Sequence, residues 1–227
     1  MNSLDSQPGI ISSLGEIPLA LTNNHNEVYY YWDNSRLKSS TLFHIDGHDD
    51  LHSHNSYEIT GEDYYKSLGI AGFIMPAFFH GIVEKIYWMN PHSEERRLQD
   101  MTKILYIDDD GNYYGKKRKI NQVVIRKKPF ILDIDLDAFC CDKIINHVRF
   151  DYDGVTNWKI RLDETMKTLS RVSKEPNLVT LTLSNSPAFV PENLSIEVLA
   201  SLLDGLKEVY GQIKDYSKLI DFCLHKD

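Results

Sequence analysis

Two short acidic motifs, each placed directly after an apolar run, constrain this chain more than any other feature. Ser40 to Ile45 reads as a strand that runs into Asp46-Gly47-His48-Asp49-Asp50, and Phe130 to Leu132 reads as a strand that runs into Asp133-Ile134-Asp135-Leu136-Asp137. In an extended segment alternate side chains face the same side, so Asp46, His48 and Asp50 can converge, and so can Asp133 and Asp135. Carboxylates gathered at the end of buried strands are costly unless cations neutralise them. Two divalent metals sharing bridging carboxylates would do so, and would lower the pKa of a bound water. A single Asp/His run is usually a solvated loop, but two runs at the same spacing, each after an apolar strand, are hard to explain that way.

The rest of the chain alternates between strand and helix patterns. Ile17 to Leu21 reads as a strand ending at Thr22-Asn23-Asn24, where Asn24 can cap a helix with Glu27 three residues on. The aromatic run Tyr29 to Trp32 leaves helix and strand open. Thr60 to Leu68 reads as a helix stopped by Gly69, residues 70–82 as a buried helix, and Lys85 to Met89 as a strand. Between Ile104 and Val124 the pattern is a β-hairpin around the Asp110-Gly111 turn. Residues 156–173 form an amphipathic pattern with Trp158, Leu162, Met166, Leu169 and Val172 on one face. Leu178 to Leu183 reads as a strand, Leu194 to Tyr210 as a helix, and residues 213–224 as a last helix. This order predicts a three-layer α/β/α domain over residues 1–227, with a mostly parallel central sheet and a hairpin insertion around 104–125. Ligands of such sheets bind beyond the C-terminal ends of the strands, where both acidic motifs fall.

Bulk properties narrow the classes. A 42% hydrophobic, 26% charged chain is ordinary for a globular protein, which sets disorder aside. The net charge of −8 is the opposite of what phosphate binding requires, so no nucleic-acid partner is expected. Cys140, Cys141 and Cys223 suggest no disulfide framework, and reduced thiols fit a cytoplasmic protein. The N-terminal stretch has no signal-peptide pattern, and the apolar run Ile70 to Phe79 is too short to span a bilayer. The basic runs Lys116 to Lys119 and Arg126 to Lys128 flank the hairpin. They read as solvated strand edges, or as a docking strip for an acidic peptide by strand addition.

The motifs resemble those of a known family. Asp46-Gly47-His48-Asp49-Asp50 is similar to the Asp-x-His-x-Asp motif of arginases and agmatinases, and Asp133-Ile134-Asp135 to their Asp-x-Asp motif. His25 sits after the first predicted strand, as does the first metal-binding histidine of that family. Phe43 to His48, Leu132 to Phe139 and Ser184 to Pro191 resemble a small branch that includes peptide arginases, which convert arginine to ornithine in ribosomally made peptides. The resemblance implies an arginase-deacetylase-like fold and two manganese ions. One would be held by His25, Asp46, Asp50 and Asp133, the other by Asp46, His48, Asp133 and Asp135. Asp50 would also orient the activated water. The implied partner is an arginine-containing precursor peptide, and the implied products are ornithine and urea.

The leaving amine needs a proton, for which His52, His54 and His80 are the candidates. Asp137 comes earlier than the corresponding acid of the family and lacks its following proline; it can support a ligand or contact substrate. Ser184 and Ser186, in the loop after a predicted strand, can accept guanidinium hydrogen bonds. The chain is shorter than arginases acting on free arginine, which fits a substrate whose α-groups are locked in peptide bonds. Alternatives that stay open are an agmatinase-like or free-arginine ureohydrolase, a metal-dependent deacetylase or amidohydrolase, and a non-catalytic peptide-binding module.

Overall fold

Ser40–Ile45, Phe130–Asp135 and Leu178–Thr182 are buried along their whole length, which is the state of strands covered on both faces. The computed structural model describes residues 7–52, 64–92, 102–107, 113–118, 128–141, 155–172, 174–184 and 189–224. Its strands are β1 (Ile10–Leu14), β2 (Ile17–Thr22), β3 (Ser40–Ile45), β4 (Val83–Met89), β5 (Thr102–Ile107), β6 (Tyr113–Arg118), β7 (Phe130–Asp135) and β8 (Leu178–Thr182). They form one sheet in the order β1-β2-β8-β7-β3-β4-β5-β6. The run β2-β8-β7-β3-β4 is parallel throughout. The antiparallel pairs are β1 with β2 on one side, and β4 with β5 and β5 with β6 on the other.

Helices cover both faces. On one lie α1 (Val28–Asn34), α2 (Tyr64–Ser67) and α3 (Ile74–Phe79), on the other α4 (Trp158–Leu169), α5 (Glu192–Tyr210) and α6 (Tyr216–Leu224). The alternation of strand side chains separates the two cores. Leu42, Ile86, Ile131 and Leu178 pack with Val28, Trp32, Phe73 and Met75. Phe43, Ile45, Leu132, Ile134, Val179 and Leu181 pack with Leu162, Leu199, Leu202 and Leu206. The predicted three-layer arrangement with a mostly parallel sheet is therefore the observed one.

The connectivity makes a crevice. From β3 the chain moves outward to β4, whereas from β7 it moves the other way to β8, and β3 and β7 are neighbours. The point where two such paths diverge is where open α/β sheets hold their ligands. Both acidic motifs leave the sheet there.

Several elements differ from the sequence reading. β1 lacks a counterpart in it, because only its pairing with β2 makes Ile10–Leu14 a strand. Leu14 faces Ile17 across Gly15-Glu16, and Gly15 takes φ 61°, as a two-residue hairpin turn with glycine first requires. The aromatic run resolves as helix α1. The helix expected over 70–82 is shorter: Gly72 N–H bonds Gly69 O in a turn before it, and Gly81, at φ 68°, ends it. The hairpin strands are β5 and β6, and the Asp110-Gly111 turn lies outside the described residues. Among the described residues no helix is long and apolar enough to cross a membrane.

Leu202 in α5 is fully buried on the face away from the acidic motifs. Leu202→Ala is expected to lower the unfolding free energy by about 2–5 kcal/mol. The change should appear as a lower urea midpoint at unchanged slope. An unchanged midpoint would remove α5 from the stabilising core.

Candidate metal centre

On the face covered by α1 to α3, the central strands turn from apolar to polar toward their C-terminal ends. β3 presents Leu42 and His44, with Asp46 next in step; β7 presents Ile131, Asp133 and Asp135; β8 presents Leu178, Thr180 and Thr182. Register aligns these residues into rows, His44 with Asp133 and Thr180, then Asp135 with Thr182. Thr182 faces Thr22 of β2 in turn. Local sequence places each side chain on a face, and strand register brings the rows together.

His25 enters from a 3-10 turn, His25–Glu27, directly after β2. The turn is held by Glu27, whose carboxylate accepts from the backbone N–H of Asn23 and Asn24 at 3.1 Å each. The expected capping pair is thus present on a shorter turn than a full helix. His25 Nδ1 lies 2.8 Å from Asp50 Oδ2 and 3.1 Å from both Asp46 Oδ2 and Asp135 Oδ2. His25 Nε2 lies 2.9 Å from Asp133 Oδ2. Phe73 closes the side of the ring at 4.6 Å between centroids.

A second group forms around His48. Its Nδ1 is 3.0 Å from Asp137 Oδ2 and 3.4 Å from Asp46 Oδ1. Asp46 therefore stands between the groups, with Oδ2 toward His25 and Oδ1 toward His48. His44 lies beneath both acids, with Nδ1 2.8 Å from Asp133 Oδ2 and Nε2 3.4 Å from Asp46 Oδ2.

The carboxylates are further oriented by neutral donors. Thr180 Oγ1 donates to Asp133 Oδ1 at 2.6 Å and accepts from Trp32 Nε1 at 3.2 Å. Ser184 Oγ lies 2.5 Å from both oxygens of Asp135, which also accepts from Asp137 N–H at 3.0 Å.

The electrostatics follow from this crowding. Burial, then the charges of Asp137 and Asp50, push the Asp46 carboxyl well above the usual range. Burial and Asp137 push Asp135 up as well. For Asp133 burial acts upward, but His25 and His44 outweigh it and hold the group below its usual range. Burial likewise opposes protonation of His48, yet Asp137 and Asp46 raise it from 6.5 to about 12. Without metal, the imidazoles supply the positive charge that the acids demand.

The arrangement fits divalent cations. One N–H at His25 Nδ1 can serve one acceptor well, whereas three carboxylate oxygens surround that atom within 3.1 Å. Asp46 Oδ2 and His44 Nε2 are buried with no hydrogen bond. Two triads, His25-His44-Asp46 and Asp46-His48-Asp137, each bring one donor atom per residue within 4.8 Å of one another. The donors are imidazole nitrogen and carboxylate oxygen without thiolate, a set suited to manganese among other divalent ions.

The structure distributes the expected site residues as follows. His25, Asp46, Asp50, Asp133 and Asp135 gather in one buried group, and His48 joins it through Asp46. Asp50 takes φ 48° and Ser184 φ 47°, both in the left-handed region uncommon for such residues and recurrent at functional sites. Asp137, expected to support a ligand or contact substrate, is a direct neighbour of His48. Ser184 binds Asp135. His52 is exposed, with its backbone N–H on Ala71 O. His80 lies at the end of α3, seven residues and about 10 Å along from the Phe73 that packs on His25. There its Nδ1 meets Tyr29 OH at 2.5 Å, and the adjoining Gly81 O accepts from Ser39 N–H at the opposite end of β3 from Asp46. His54 and Ser186 lie outside the described residues. The residue missing from the sequence reading is His44. Its signal was present, since His44-x-Asp46-x-His48 extends the alternate spacing by one step.

No family model and no curated protein matches the chain. Among solved structures it is similar to a hypothetical agmatinase from Burkholderia thailandensis, at 13% identity and a TM-score of 0.48, over 91% of this chain and 58% of that one. The chain thus spans less than two thirds of that protein's length.

Metal binding requires neutral imidazoles and ionised carboxylates, so it competes with protons. Without metal, the stability that His48 contributes is fully present below pH 6.5 and is lost as pH rises toward about 12. Apparent affinity for a divalent ion is therefore expected to rise between about pH 6 and 8 with protons released on binding. Calorimetric titration in two buffers of different ionisation enthalpy measures that release. PH-independent affinity with no proton release would contradict ligation by His25 and His48.

Proposed function

We propose that this cluster holds two divalent metal ions, most suitably manganese, and that the chain hydrolyses the guanidinium group of arginine residues in a peptide, leaving ornithine and releasing urea. The observation that carries the reading is Asp46, whose two oxygens face two separate histidine–carboxylate groups. His25, Asp46, Asp50, Asp133 and Asp135 would hold one ion, and Asp46, His48 and Asp137 the other. Bound ions of this kind supply Lewis acidity and a water of lowered pKa.

The remaining tasks belong to the chain's own residues. The side chain of His48 is 22% exposed, whereas those of Asp46, Asp50, Asp133, Asp135, Asp137, His25 and His44 are 5% exposed or less. Solvent and substrate therefore reach the cluster on the His48 side. The Phe189 ring stands perpendicular to that of His48, 5.4 Å between centroids, and an aromatic face suits a planar cation. Ser184, half-buried, orients Asp135.

Support for a peptide substrate is the resemblance of Phe43 to His48, Leu132 to Phe139 and Ser184 to Pro191 to the peptide-modifying branch. Among the described residues β6 is the outermost strand beyond β5, and an acidic precursor segment would add to its edge beside Lys116.

Mass spectrometry of an arginine-containing peptide incubated with manganese-loaded protein tests this. The expected result is loss of one CN2H2 unit per modified arginine, with urea released, and no reaction by Asp46→Ala or Asp133→Ala. Turnover of free arginine or agmatine alone would keep the chemistry and overturn the peptide assignment. Full activity in either variant would overturn the site.

A further inference from the structure

The segment that leaves β4 ties the two acidic motifs together. Asn90 and His92 belong to neither motif, yet both are buried, at 6% and 4% exposed. Asn90 Nδ2 donates to Gly47 O at 2.8 Å, and Asn90 Oδ1 accepts from His92 N–H at 2.9 Å. His92 Nε2 lies 2.7 Å from the backbone oxygen of Asp137. A carbonyl oxygen only accepts, so Nε2 carries the proton and the ring's tautomer is set. Gly47 N–H closes the ring of contacts on Asp137 Oδ1 at 3.3 Å.

The location gives this clasp its meaning. The ladder between β3 and β7 ends at Ile45 and Ile134. Asp46, Gly47 and His48 lie beyond it on one side, and Asp137 lies beyond it on the other. Sheet register therefore does not set the distance between His48 and Asp137. The clasp spans that gap: it grips Gly47, between Asp46 and His48, and the backbone of Asp137. Two further bonds brace it from outside. Trp88 Nε1, on β4, donates to Asp46 O at 3.0 Å, and Arg161 Nε, on α4, donates to Phe139 O at 2.7 Å. Hydrogen bonds in a dry interior are stiff, and losing one partner leaves the other unsatisfied.

We propose that Asn90 and His92 are positioning residues for the metal centre, holding the Asp46–His48 loop and the Asp137 loop at the separation that a divalent ion between them requires. The inference rests on the metal-centre reading above and extends it to residues that touch no ligand atom.

The test is calorimetric Mn2+ titration of metal-stripped wild type, His92→Leu, His92→Gln and Asn90→Ala, with each metal-free thermal midpoint measured alongside. His92→Leu is expected to weaken binding about 10–100-fold, the scale seen when a ligand's supporting partner is removed. His92→Gln, whose amide can still donate to Asp137 O, should recover most of that affinity even where its midpoint falls as far as that of the leucine variant. Asn90→Ala, on the other arm of the clasp, should lose affinity as well, and carries the comparison should His92→Leu not fold. Wild-type affinity in His92→Leu and Asn90→Ala would overturn the proposal and leave the metal centre standing. Equal losses in the leucine and glutamine variants, following their midpoints, would reduce the clasp to a structural contact and overturn it too. A wild type that takes up no Mn2+ would overturn the metal centre and the clasp together.

Discussion

The crowding of Asp46, Asp50, Asp133 and Asp135 around the single imidazole of His25 is the interaction on which the rest of this structure depends. Placing several carboxylates in a dry crevice is unfavourable unless positive charge and hydrogen-bond donors meet them. The chain supplies both. His25, His44 and His48 provide charge, and Thr180, Ser184 and the Asp137 N–H provide donors. The same balance explains why Asp133 is held ionised while Asp46 and Asp135 are pushed toward the neutral form. Asp133 meets two imidazoles, whereas Asp46 and Asp135 also feel the charge of Asp137. A divalent ion would relieve the conflict that the imidazoles settle only by remaining protonated.

The two faces of the sheet divide the work. Away from the cluster, α5 lays Val198, Leu199, Leu202, Leu203 and Leu206 along the strands, an uninterrupted apolar seam. On the cluster's own face the helices are short, and the packing is aromatic, with Trp32, Tyr29, Tyr64 and Phe73. Each strand there gives up apolar residues for polar ones as it approaches its C-terminal end. Stability is thus drawn mainly from one face and from the lower part of the other. That leaves the upper edge to carry charge and left-handed backbone at Asp50 and Ser184.

The sheet rows and the clasp act at different ranges. Rows such as His44-Asp133-Thr180 are held by the ladder, so their geometry is as rigid as the sheet itself. Asp46 keeps a backbone bond to Met89 of β4, whereas His48 and Asp137 stand beyond the ladder and are met by side-chain contacts. Irregular backbone there lets the ligands approach from several directions, as a compact ion requires, and buried bonds from β4 restore the order that the ladder no longer provides.

Much of this was written locally in the chain. Apolar runs ending in Asp46 and Asp133 announced buried strands, and alternation announced that Asp46-x-His48 and Asp133-x-Asp135 project to one side, because pleating has a period of two wherever a strand forms. The alternation of strand and helix announced the layered parallel sheet. Local pattern could not announce which strands would be neighbours. His25 and Asp133 meet across 108 positions of sequence, and His44 becomes a partner of Asp133 only because β3 and β7 pair in that register. Helix α3 likewise carries His80 away from the cluster, and contacts beyond the ladder turn Asp137 toward His48. Asn90 and His92 carry no motif, and only the folded chain shows them gripping Gly47 and Asp137. The sequence by itself determined the chemical types and the face on which each would stand. The tertiary structure decided which of them meet, because contact between distant segments depends on strand order and register, and neither leaves a periodic trace in the residues that obey them.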